Sequence, residues 1–147
     1  MPQLIISVSG LRGIVGENLT PQTALQYAQS FAWFLKTQKN IQKGAICVAR
    51  DSRPSGKMLS CAVSAGLTGA GFDVIDLGIV ATPSEGIMTT HLNCCAAVVI
   101  TASHNPLPYN GIKLLLEDGM APDIEKAALI KKAFLENKTT TDRKSVV

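Results

Sequence analysis

The chain is poor in aromatic residues, at 5% of 147, and poor in charge, at 17%. A nucleic-acid binder is expected to show a basic stripe interleaved with groups that stack on or read bases. Here the net charge of +3 comes from 14 basic and 11 acidic residues, and much of the excess gathers near the end, at Lys131, Lys132, Lys138, Arg143 and Lys144. No nucleic-acid partner is expected. No apolar run approaches the ~20 residues that span a bilayer, and no basic start leads into a long apolar stretch with a small-residue cleavage site. No membrane partner is expected either, and a reducing, cytoplasmic setting is the corresponding expectation. The four cysteines, Cys47, Cys61, Cys94 and Cys95, form no C-x-x-C pair, which argues for buried thiols over structural zinc. Gly66, Gly69 and Gly71 do not make G-x-G-x-x-G, and neither G-x-x-x-x-G-K-[ST] nor G-x-S-x-G occurs. There is no internal repeat and no low-complexity tract.

What is present is 46% hydrophobic sequence, in a length that supports one domain with its own core. Residues 4–8 read as a short strand, followed by Ser9-Gly10-Leu11-Arg12-Gly13-Ile14-Val15-Gly16 as a glycine-punctuated loop or hairpin. Thr20-Pro21 supplies an N-cap and a first-turn proline, and Ala24, Leu25, Ala28, Phe31, Ala32 and Leu35 fall on one helical face. Ala45-Ile46-Cys47-Val48-Ala49 is a buried strand ending in the polar loop Arg50-Asp51-Ser52-Arg53-Pro54-Ser55-Gly56. A second helix carries Met58, Leu59, Ala62, Val63, Ala65 and Leu67 and stops at Gly69-Ala70-Gly71. A strand over 72–80, a short helix capped at Thr82-Pro83, a strand over 96–100, a strand over 112–116 and an amphipathic helix over 123–135 complete the pattern. Glu117-Asp118-Gly119 reads as a hairpin tip rather than a metal site, and His91 with Cys94 as helix end and core.

Strands alternating with helices imply an α/β fold, a three-layer α/β/α sandwich with a mostly parallel mixed sheet. The domain is expected over 1–136, with 137–147 as a linker or the start of a second domain. In such a sheet the loops at residues 50–55, 81–84 and 101–111 share one edge, where ligands of open α/β sheets bind.

The richest chemistry lies in Thr101-Ala102-Ser103-His104-Asn105-Pro106-Leu107-Pro108-Tyr109-Asn110-Gly111-Ile112-Lys113. Ser103 follows a buried strand directly and sits in a loop stiffened by two prolines, as a nucleophile held for group transfer would. His104 can orient or exchange protons, Asn105 and Asn110 can tie the loop to itself, and Lys113 supplies positive charge or a proton-transfer group.

This run closely resembles the phosphoserine loop of the α-D-phosphohexomutases, enzymes that interconvert hexose 1-phosphates and 6-phosphates. Three more segments match in order: Ser9-Gly10-Leu11-Arg12-Gly13 resembles the family's N-terminal arginine loop, Arg50-Asp51-Ser52-Arg53-Pro54-Ser55-Gly56 its Arg-Asp loop, and Gly78-Ile79-Val80-Ala81-Thr82-Pro83 its Thr-Pro turn. Ala49 and Ala102 stand where members often have glycine. The resemblance implies domain I of a phosphoglucomutase, phosphomannomutase or phosphoglucosamine mutase, an isomerase acting as an intramolecular phosphotransferase. Ser103 would carry the phosphoryl group, passing it through a hexose 1,6-bisphosphate. Lys113 and His104 would handle protons and transition-state charge, Arg12 would contact the phosphate, and Arg50, Asp51, Arg53, Asn105 and Asn110 would bind phosphate or support the site. Mg²⁺ is implied, held by the phosphate on Ser103 and by an Asp-Gly-Asp loop of a second domain, which this chain lacks. The remaining domains of the same enzyme are the implied partners, and the chain alone is expected to be inactive. Two other readings stay open: an α/β serine hydrolase using Ser103 and His104, and a non-catalytic module that binds sugar phosphates.

Overall fold

The structure, a computed structural model, describes residues 3–141, without the side chains of Thr82 and Pro83. Ten elements follow in order: β1 (Ile5–Ser7), β2 (Gly10–Ile14), α1 (Pro21–Gln38), β3 (Ala45–Arg50), α2 (Gly56–Gly69), β4 (Asp73–Ile79), α3 (Thr82–His91), β5 (Ala96–Ile100), β6 (Tyr109–Leu116) and α4 (Ile124–Leu135). They form one six-stranded sheet of order β1-β2-β6-β5-β3-β4. Parallel pairing is confined to β5-β3-β4, and β1, β2, β6 and β5 pair antiparallel. The reason lies in the connections: only residues 101–108 separate β5 from β6, too few for the helical crossover that a parallel neighbour requires. The α/β class and the mixed sheet stand, with one half parallel and the other antiparallel.

Local chemistry sets the element ends. Thr20 caps α1, its hydroxyl accepting from the Thr23 amide at 3.2 Å, and Asp123 caps α4 by accepting from the Lys126 amide at 2.9 Å. α3 departs from expectation: Ala81 occupies the cap position, and Thr82 is the first helical residue. After α2 the chain turns at Gly71, whose φ of +95° lies in the left-handed region. Residues 117–120 close as a turn, with the Gly119 amide donating to the Leu116 carbonyl at 2.9 Å, and lead to α4 rather than joining two strands.

α1, α2 and α4 cover one face of the sheet, where Phe31, Leu35, Leu59, Val63, Leu67 and Ile130 meet Ile46, Val48, Val98, Ile100, Ile112 and Leu114. Gly66 lets the helices close: a Cβ there would stand 2.8 Å from the Leu25 carbonyl oxygen of α1. Of the apolar residues the second helix carries, Met58 and Ala65 lie on the outer side of α2, which buries Ser60 and Gly66 along with Leu59, Val63 and Leu67. α3 is the only described helix on the opposite face, over a small cluster of Cys47, Cys94 and Ala97. The thiols of Cys47 and Cys94 lie 3.0 Å apart, and burial first, then Cys94, pushes Cys47 up to about 12. Cys61 corrects the expectation of buried thiols, because it faces outward from α2.

Past α4, the Lys138 carbonyl accepts from Ser30 at 3.0 Å and Gln26 donates to Asn137, so the chain stays against α1 up to Lys138. Of the expected linker, residues 142–147, with Arg143 and Lys144, lie outside the described residues. No described helix is long and apolar enough to cross a membrane.

Candidate active site

β3 and β5 run parallel, so the loops at their C-terminal ends emerge side by side. Ser103, three residues past β5, is exposed and adopts φ +56°. A non-glycine residue in the left-handed region costs of order 1–3 kcal/mol and persists only where its surroundings enforce it. Here they do so by two routes. From behind, the Ser103 amide donates to Thr101 Oγ1 at 3.1 Å, and that hydroxyl donates to Asp51 Oδ2 at 2.8 Å. From the side, the Arg53 guanidinium donates to four carbonyl oxygens of the loop, those of Ser103 (3.0 Å), Asn105 (2.6 Å), Pro106 (2.9 Å) and Tyr109 (3.0 Å). Asp51 joins the two routes, accepting from the Arg53 amide at 3.0 Å and pairing with Arg53 Nε at 3.4 Å. An arginine fork suits this task, since its donors are planar and fixed relative to one another.

Asn110 is fully buried: its amide donates to Ser55 Oγ at 2.8 Å and its oxygen accepts from the Gly111 amide at 2.8 Å, tying the start of β6 to the start of α2. Arg50 is half-buried, its stem against Gly56, and it makes no ion pair among the described residues. Gly111 lies where three strands crowd, and a Cβ there would come within 2.7 Å of the Thr101 carbonyl oxygen and 2.8 Å of that of Leu11.

Positive charge converges from the antiparallel half. Arg12 of β2 is opposite Gly111 of β6, and it lines, with Lys113, Thr101, Ser7 and Ser9, a cleft of about 80 Å³. Its guanidinium lies 3.5 Å from Asn105 Oδ1, two residues beyond Ser103. A cleft with two cations can hold an anionic group; Ser103 does not line it but is joined to it through Thr101, which does, and through Asn105, which meets Arg12. His104 is exposed and forms no hydrogen bond among the described residues, so no serine–histidine relay is assembled. Asp51 has both oxygens engaged, and no described group of three histidine, cysteine or acidic side chains could hold a metal ion.

The sequence model for phosphoglucomutase/phosphomannomutase, alpha/beta/alpha domain I, matches residues 3–141. The chain belongs to that family. As a domain I of phosphoglucomutase/phosphomannomutase type, it is 44% identical over 125 residues to a phosphoglucomutase/phosphomannomutase of Thermococcus kodakarensis, a match covering 85% of this chain and 27% of the relative. It is 40% identical over 121 residues to a phosphoglucosamine mutase of Rhodococcus opacus, covering 82% and 27%. In structure it resembles a Thermus thermophilus protein assigned as a phosphomannomutase, with TM-score 0.82 at 27% identity, over 91% of this chain and 30% of that one. The domain I chain thus spans about a quarter of the length of the curated relatives it matches.

The sequence marks Arg53 and Asp51 as phosphate-binding or supporting residues but does not show that they clamp the serine loop, and it gives no role to Thr101, Ser55 or the buried Glu85 of α3. Only the Thr101 contact was within reach, since a hydroxyl two residues before a serine can accept that serine's amide.

Proposed function

We propose that this domain carries the phosphoryl-transferring serine of a phosphohexomutase, with Ser103 alternately holding and surrendering the group. What carries the reading is the set backbone of Ser103: an exposed hydroxyl in a left-handed turn, enforced by Arg53, Asp51 and Thr101, with Thr101 also lining the cleft of Arg12 and Lys113. Phosphoryl transfer asks a protein mainly for positioning and for stabilisation of spread negative charge.

In the first half-reaction a hydroxyl oxygen of the hexose phosphate attacks phosphorus, the bond from phosphorus to Ser103 Oγ breaks, and a hexose 1,6-bisphosphate forms. The sugar hydroxyl gives up one proton and Ser103 Oγ takes one, exchanges assigned to His104 and Lys113. Arg12 and Lys113 face the phosphoryl oxygens, and Asn105 steadies Arg12. In the second half-reaction the other phosphoryl group of the reoriented bisphosphate passes to Ser103, so phosphate is neither gained nor lost. Arg53, Asp51 and Asn110 keep the loop in place throughout, and Arg50 borders the site.

Mg²⁺, when bound, would neutralise phosphoryl charge; of this chain's groups only the phosphate on Ser103 would hold it, and the other ligands would come from outside the domain. Sugar recognition would likewise fall to the remaining domains of the same enzyme, so the domain by itself is expected to show no mutase turnover. The test is mutase activity of the full polypeptide encoded by the reading frame, started with glucose 1,6-bisphosphate and Mg²⁺. Ser103→Ala is expected to abolish turnover, and full activity in that variant would remove the assignment.

A further inference from the structure

α3 buries a carboxyl for which the mechanism above has no use. Glu85 is 1% exposed, and neither carboxylate oxygen has a hydrogen-bond partner among the described residues. An ionised carboxylate without partners bears its whole desolvation cost, so the neutral acid is favoured. Burial pushes Glu85 up to about 8, with Lys113 opposing the rise and Asp51 adding to it. The titratable groups whose charge acts on it are Lys113 from β6, Asp51 from the loop after β3, and the Cys47 thiol of β3. The strand pattern places Lys113 on that side of the sheet: it is two residues from Leu115, which packs with Cys47 and Ala97 in the cluster under α3. Lys113 therefore borders two surroundings, the cleft it shares with Arg12 and Thr101, and the buried acid.

We infer that Glu85 is a positioning residue for Lys113: protonated, it leaves the ammonium undivided for a phosphoryl group at Ser103, and ionised, it draws that ammonium toward α3. The inference rests on the reading of Ser103 and Lys113 given above. The step is the loss of one proton from the Glu85 carboxyl to solvent, and it needs no other reactant. It sets an alkaline limit on the site through a group that touches neither sugar nor phosphate.

The test is a ¹³C NMR titration of the 147-residue chain across roughly pH 5 to 10. The Glu85 carboxyl carbon is expected to titrate near 8 instead of the ordinary 4.5. The Lys113 side-chain Cε resonance is expected to move over the same interval, and that movement is expected to vanish in Glu85→Gln. A Glu85 midpoint at the ordinary value, or a Lys113 movement identical in Glu85→Gln, would overturn the inference. Should Glu85→Gln fail to fold, the carboxyl titration of the unaltered chain decides alone. Ser103→Ala should leave both signals in place, so a failure of the phosphoserine reading shows separately from a failure of this one.

Discussion

Replacing Arg53 with alanine tests whether the loop is held as described. Of the four carbonyls it serves, those of Asn105 and Tyr109 are part-buried, and those of Ser103 and Pro106 are bonded at exposed positions. The exposed pair can turn to water and contributes little. The part-buried pair loses bonds from a charged donor at about 1.5 kcal/mol each, or roughly 3 kcal/mol together. Asp51 keeps the Thr101 hydroxyl and so is not orphaned. Relaxation of Ser103 out of the left-handed region returns about 1 kcal/mol. The net loss is about 2 kcal/mol, a fall in Tm of roughly 4–8 °C for a domain of this size. Thermal unfolding followed by circular dichroism measures it, and native-state hydrogen exchange should show amide exchange across 103–109 accelerated more than that of β3 and β5, whose amides speed up only by the global loss. Arg53→Lys should recover little, because one ammonium cannot span the four oxygens. A Tm unchanged by Arg53→Ala, with exchange across the loop also unchanged, would refute the clamp.

Thr101→Val keeps the shape but strands the Ser103 amide and deprives Asp51 of a donor; chemical denaturation should show a loss of about 2 kcal/mol that Thr101→Ser restores. Gly111→Ala forces a methyl group against two carbonyl oxygens of neighbouring strands and should cost about 3 kcal/mol in the same assay. Glu85 makes stability depend on pH with a definite sign. Its folded pKa is raised from 4.5 to about 8, so the folded chain keeps a proton that the unfolded chain has released, and stability falls as pH rises through that window. Denaturation midpoints should therefore decline between those values in the unaltered chain and level off above them, by a few kcal/mol in total. In Glu85→Gln that decline should be absent.

The parallel half of the fold is legible in the sequence because its signals are local. Apolar runs mark β3 and β5, and the cap at Thr20 sits where its side chain bonds. The antiparallel half is harder to read. Gly10, at φ +116°, is a strand residue that also resembles a loop glycine, and β6 begins at Tyr109 and Asn110, the latter a buried polar residue satisfied by Ser55 and the Gly111 amide. At the candidate site, the motif proposes Ser103, Arg12 and Lys113, but the clamp joins Arg53 to carbonyls at least 50 residues away, and no local pattern encodes that. Glu85 is hidden for another reason: an acid in the first turn of a helix ordinarily reads as a complement to the helix dipole, and only tertiary packing reveals that it is buried.

The most direct measurement follows the phosphoryl group itself. The full polypeptide is phosphorylated with labelled glucose 1,6-bisphosphate, its labelled peptide is mapped, and the phosphoprotein is then chased with unlabelled glucose 1-phosphate and Mg²⁺. Label on Ser103 that departs into the sugar bisphosphate on the timescale of turnover is the expected result. Label on any other residue, or label on Ser103 that stays through many turnovers, would contradict the account.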